Sequence, residues 1–155
     1  RSHKGLARFR IRAKGIAAHS SKPYLGVNAI LQMTKIIKAI EEQILPTYNY
    51  QDHPLVGSPT LNIGLISGGT QINFVPDQCT IELDRRTIPG EKPSDAILPF
   101  QRLIEQMANE DRQFEATVEA IILDNAMETE EHEEIAPGLS KYFGTVNYHW
   151  CALWY

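Results

Sequence analysis

Cysteine is scarce in this chain. The two present, Cys79 and Cys151, stand far apart with no C-x-x-C spacing, so neither a zinc motif nor a disulfide framework can be read from them. Both read as free thiols of a reducing compartment, Cys79 on the apolar face of a strand. A basic surplus is lacking too: the net charge of -4 argues against a nucleic-acid partner, whose phosphates would have to be neutralised. No apolar run approaches the ~20 residues that span a bilayer, and no basic, apolar, small-residue signal opens the chain, so a soluble, cytoplasmic protein is expected. Complete catalytic motifs are absent: there is no H-x-D, no H-E-x-x-H, no G-x-S-x-G and no G-x-x-x-x-G-K. By its own residues the chain should hold no metal and no cofactor, and should not catalyse a reaction alone.

What is present suits one domain with a real core. Of 155 residues, 43% are apolar and 22% charged, values that point to neither disorder nor a fibrous class. Residues 6–14, "LARFRIRAK", alternate Ala7, Phe9, Ile11 and Ala13 against Arg8, Arg10, Arg12 and Lys14, which predicts a half-buried strand. Residues 26–45 predict a helix with Val27, Ile30, Leu31, Ile37, Ile40 and Ile44 on its apolar stripe and Gln32, Lys35, Lys38 and Glu42 opposite, stopped by Pro46. "TLNIGLIS" (60–67) predicts a second strand with Leu61, Ile63 and Leu65 inward. "QCTIELDRRT" (78–87) predicts a third, with Cys79, Ile81 and Leu83 inward. A second helix over 94–110 carries Ile97, Phe100, Ile104 and Met107 on one face, with Pro99 kinking its first turn or marking a later start, and "ATVEAIIL" (116–123) closes the series.

That order is the α+β, ferredoxin-like split βαββαβ arrangement: a four-stranded antiparallel sheet with two helices on one face. Its usual strand order sets the first strand between the third and fourth, so Arg8, Arg10 and Arg12 should meet Glu82 and Asp84 on one side and Glu119 on the other. The same order leaves the uncharged strand 60–67 at an edge, where unpaired backbone groups invite another strand. A homodimer continuing the sheet across a two-fold axis is expected there, through strand 60–67 and helix 26–45. Residues 124–155 fit the pattern less well, reading as a short acidic helix and then an aromatic strand. The two ends, "RSHKG" and "HWCALWY", read as cut points.

Three residues stand out as candidates. His19, in "GIAAHSSKP", is ringed by small residues that let it project, and an imidazole there can donate to a developing oxyanion; a lone loop histidine is more often merely solvated. Asn73 is displayed by the loop "SGGTQINFVPD" (67–77), which on its own is more often a plain hairpin connection. In the split βαβ topology His19 and Asn73 leave parallel strands at the same end of the sheet. Arg86 leaves at the other end, where it could clamp a carboxylate or simply pair with Asp84 or Glu82. The cluster "EEHEE" (130–134) does not converge on one face and reads as a solvated acidic helix start.

As an ordered set, "GIAAHSSKPYLGVNAI" and "GGTQINFVPDQCTIELDRRTIPGE" resemble the dimerisation (lid) domain of the dinuclear zinc amidohydrolases and exopeptidases. These include acetylornithine deacetylase, succinyl-diaminopimelate desuccinylase, aminoacylase and the glutamate carboxypeptidases; the wording is most like the acetylornithine deacetylases. The match covers about residues 5–123, giving a lid domain at 1–123 and, at 124–155, a truncated return toward a catalytic domain. The resemblance implies that two zinc ions and a general-base glutamate belong to that other domain, which cleaves amide bonds of N-acyl amino acids or small peptides. It implies that His19 acts catalytically across the dimer on the carbonyl oxygen, and that Asn73 and Arg86 bind substrate. Two other readings compete: a free-standing ferredoxin-like ligand-binding or regulatory module, and a dimerisation platform in which His19 is incidental.

Overall fold

Alternation of small or apolar residues with basic ones makes Gly5–Lys14 (β2) a strand whose inner face, Ala7, Phe9, Ile11 and Ala13, is fully buried. In the computed structural model, which describes residues 2–128, β2 is flanked by Gln78–Thr87 (β6) and Glu115–Asp124 (β7), with Thr60–Gly68 (β4) outside β6. The sheet is antiparallel throughout and runs β4-β6-β2-β7, the order expected. The acidic helix, the "EEHEE" cluster, the aromatic strand and Cys151 lie outside the described residues.

The charged face follows the register. Arg8 stands opposite Asp84 and binds it at 2.9 Å; Arg10 stands between Glu82 and Glu119, binding the first at 3.0 Å and approaching the second at 3.9 Å. Arg12 departs from the expectation, since Thr80 and Thr117 occupy the positions on either side of it. On the other face lie the helices Ala29–Ala39 (α1) and Leu98–Glu110 (α2), and Phe9 meets Phe100 with ring centroids 4.6 Å apart. Pro99 sits in the first turn of α2, where its missing N–H costs nothing, so the later start is the one realised.

Three further expectations need correction. Pro46 does not stop the first helix: a π-helical turn, Ile40–Ile44, passes into a 3-10 stretch, Leu45–Tyr50, and Pro46 fits at its beginning. The stripe facing the sheet is Ala29, Gln32, Met33, Ile36, Ile40 and Ile44, while Ile30 and Leu31 face away and Leu31 is 60% exposed. The helix carries two apolar stripes, and periodicity alone does not say which one its own sheet will cover. Leu65 is not inward either. The register shifts between Ile63 and Leu65, so the extra residue Gly64 sets Leu65 opposite outward Glu82 and Ile66 opposite inward Ile81. At this edge Leu65 is 64% and Ile66 60% exposed.

Two short ribbons complete the architecture. Ser2–His3 (β1) pairs with Met127–Glu128 (β8), so the first and last described strands run side by side. Ala18–His19 (β3) pairs with Phe74–Val75 (β5) at the opposite end of the sheet. No helix among the described residues is long and apolar enough to cross a membrane.

Candidate functional site

The tip bearing His19 and Asn73 is stitched together by backbone hydrogen bonds from the loop after β4. Asn73 O accepts from Ser20 N at 2.9 Å, Pro76 O from Ala29 N at 2.9 Å and Asp77 O from Gly15 N at 2.7 Å. Those three bonds tie one loop to the His19 turn, the start of α1 and the end of β2. A second crossing, Ile16 with Val27, requires glycine on both sides: a Cβ at Gly15 would lie 2.0 Å from Val27 O, and one at Gly26 would lie 2.6 Å from Ile16 O. Asn28 then starts α1, its Oδ1 accepting from Ile30 N at 2.9 Å and Leu31 N at 3.1 Å. The spacing of Gly15, His19, Gly26 and Asn28 is thus one local structure whose product is a fixed position for the imidazole.

Its ring is oriented as well as placed. Phe74 meets it edge-on with centroids 5.8 Å apart, and Ser21 supplies two groups to Nδ1, its Oγ at 2.8 Å and its backbone N at 3.2 Å. A backbone N–H can only donate, so Nδ1 accepts and the proton of the neutral ring sits on Nε2. His19 is exposed, and Nε2 carries an N–H with no protein acceptor among the described residues. Asn73 is exposed beside it. Neither Phe74 nor Ser21 was singled out as functional by sequence reasoning; an aromatic two positions before Pro76 carries no sign that a histidine will pack on it.

Arg86 stands apart. It lies opposite Leu6 and Thr60, at the starts of β2 and β4, whereas His19 and Asn73 follow the ends of those strands. The run along β6 from Gln78 to Arg86 alone is roughly 26 Å at about 3.3 Å per residue. The guanidinium is held by Asp84, Nε to Oδ1 at 2.8 Å, and Asp84 also accepts from Arg8. The pairing with Asp84 is therefore realised, and it engages the Nε side of the fork, leaving the Nη1–Nη2 edge for a second carboxylate.

Sequence reasoning missed Arg85, although the alternation that puts Cys79, Ile81 and Leu83 inward extends to it. Arg85 is 2% exposed, paired through both Nη atoms with Glu91 at 2.6 and 2.7 Å, while its Nε donates to Tyr48 Oη at 3.1 Å. Burial pushes the Tyr48 phenol above its ordinary range, against the pull of the Arg85 cation. Among the described residues no three His, Cys, Asp or Glu side chains converge as metal ligands would, so these residues do not fit a zinc ion.

Residues 1–112 match the peptidase dimerisation domain family. An acetylornithine deacetylase of Vibrio parahaemolyticus is 39% identical over 95 residues, covering 58% of this chain and 24% of that protein. Another, from Myxococcus xanthus, is 24% identical over 146 residues, covering 93% of this chain and 38% of that protein. Among solved structures, aminopeptidase PepT from Bacillus cereus superposes with a TM-score of 0.66 at 22% identity, over 92% of this chain and 36% of its own. A hydantoinase/carbamoylase family amidase from Burkholderia ambifaria gives 0.68 at 15% identity, over 92% and 34%. At those identities the structural likeness shows the fold, and the chain spans about a quarter to two-fifths of each relative's length.

Proposed function

Because the chain belongs to the peptidase dimerisation domain family, we propose that it joins two copies of a larger zinc-dependent hydrolase and lends each copy a catalytic histidine from the other. The carrying observation is the tip itself: His19, held through Nδ1 so that Nε2–H points to open space, on a domain with no metal-ligand cluster among its described residues. A group so placed serves a reaction centre that comes from elsewhere. His19 Nε2 donates to the substrate carbonyl oxygen as negative charge develops there, and Asn73 contacts substrate from the same tip. The two zinc ions belong to the rest of the enzyme, and these residues alone do not hydrolyse substrate. The substrate class is an N-acyl amino acid or small peptide, with acetylornithine the best candidate given the deacetylase relatives.

Dimerisation uses the free edge of β4 with the outer stripe of α1. The exposed Leu65 and Ile66 on the edge and Ile30 and Leu31 on the helix support this, since apolar side chains at an unpaired edge are where a second strand adds. Arg86 binds the substrate carboxylate of its own subunit. It lies at the end where β1 and β8 pair, away from the His19 tip. A complex of the intact enzyme with His19, Asn73 and Arg86 of one chain around one ligand would overturn that division.

The test is His19→Ala in the intact enzyme, with turnover of acetylornithine and bound zinc measured together. Loss of an oxyanion donor costs ~100-fold or more in turnover while zinc content stays unchanged. Turnover equal to wild type would reduce the domain to a dimerisation platform.

A further inference from the structure

We infer that Arg85 and Glu91 are positioning residues for Arg86, forming an ion pair of a buried arginine with a half-buried glutamate that fixes the backbone from which the Arg86 side chain projects. This rests on the carboxylate-binding role proposed for Arg86. Arg85 and Arg86 are neighbours on β6, so they point to opposite faces, Arg85 into the helix layer and Arg86 onto the charged face. The pair grips the strand end from beneath. Arg85 Nη1 donates to Arg86 O at 3.2 Å, and Glu91 Oε2 accepts from Ile88 N at 3.3 Å. Cation and anion thus hold the two peptide groups on either side of Thr87, a residue that is itself fully buried.

The pair is anchored in turn. The Arg85 guanidinium lies 4.7 Å from the Tyr48 ring centroid and donates to its hydroxyl, which ties the strand end to the 3-10 stretch after α1. Glu91 N donates to Ile88 O at 3.1 Å, closing the turn that returns its carboxylate to Arg85. On the opposite face Asp84 holds the Nε side of Arg86. Backbone fixed from below and side chain held from the flank leave the Nη1–Nη2 edge of Arg86 with one direction to present. An ion pair largely withdrawn from water gives little net stability over apolar residues of like volume, and what this one supplies to Arg86 is geometry.

The double variant Arg85→Leu/Glu91→Leu tests this, because paired apolar replacement removes the grip without stranding a charge. In the 155-residue chain labelled with 15N-arginine, the Arg86 Nε–H signal is expected to be resolved and protected from exchange, and to collapse toward the solvent-averaged position in the variant. An unchanged signal overturns the proposal. In the intact enzyme the variant should raise KM for Nα-acetyl-L-ornithine about tenfold with kcat nearly unchanged, and should leave KM for the corresponding carboxamide alone. Arg86→Ala separates the two ideas. If it leaves KM unchanged, the carboxylate role fails; if it raises KM while the double variant does not, the positioning role fails. Should the double variant lose its fold, Tyr48→Phe and Glu91→Gln give the same readout, and an unchanged Arg86 signal in both overturns the inference.

Discussion

Burial decides what a single residue can do in this domain: Arg85, closed off from water, is held to Glu91, while His19, open to it, offers its Nε2–H outward. His19 and Asn73 were legible as a pair because strand parity and topology put them at one end of the sheet. Arg85 was legible in principle, one step along the alternation of Cys79, Ile81 and Leu83, but a positive charge on an inward position looks like an error until its partner Glu91 is known. Cys79 shows the same burial with a titratable consequence. Desolvation raises its thiol pKa, as burial raises that of Tyr48, while the partly buried Lys4 ammonium is lowered. Above about pH 9 the unfolded chain ionises Cys79 while the folded chain keeps the proton, so the unfolded state binds fewer protons and stability falls as pH rises. Cys79→Ala, which should cost about 1 kcal/mol at neutral pH, removes that contribution. The stability advantage of wild type over the variant in urea melts is expected to shrink between pH 8 and 10.5; an advantage independent of pH would deny the shifted thiol.

Elements were read well where one pattern dominates and poorly where two compete. β2 admits a single reading, since every outward position from Arg8 to Lys14 is basic and every inward one from Ala7 to Ala13 is small or apolar. The first helix admits two, because Ile30 and Leu31 look as ready for a core as Ala29 and Met33, and only the docking set by its start decides between them. That start depends on Asn28 and on Pro76 O taking the Ala29 N–H. Asn28→Ala should lower stability by about 1 kcal/mol in urea unfolding, and Asn28→Ser should restore most of it. A loss as large with serine would mean that the side chain matters for something besides the cap. The bulge at Gly64 was hidden for a related reason: "LNIGLI" alternates well on paper, and an inserted residue is visible only against the partner strand.

For the molecule as a whole, strand order was legible because charge complementarity across β6, β2 and β7 agrees with one topology and with few others, and that topology exposes β4. The exposed edge is where assembly is proposed. A bare, uncharged β4 edge with Leu65 and Ile66 largely open to solvent is an unstable surface for a monomer and a suitable one for a two-fold partner. Asn62 is a poor place to insert a disrupting charge, since it stands opposite Asp84, where a lysine would find a counter-ion. Ile66 is better: it is opposite the apolar Ile81, and at 60% exposure its replacement should change monomer stability by no more than about 0.5 kcal/mol. In sedimentation equilibrium the wild-type chain is expected to be a dimer and Ile66→Lys a monomer with unaltered circular dichroism. A dimer that survives Ile66→Lys would move the interface away from the β4 edge, and the proposed reach of His19 into a neighbouring active site would then lose its route.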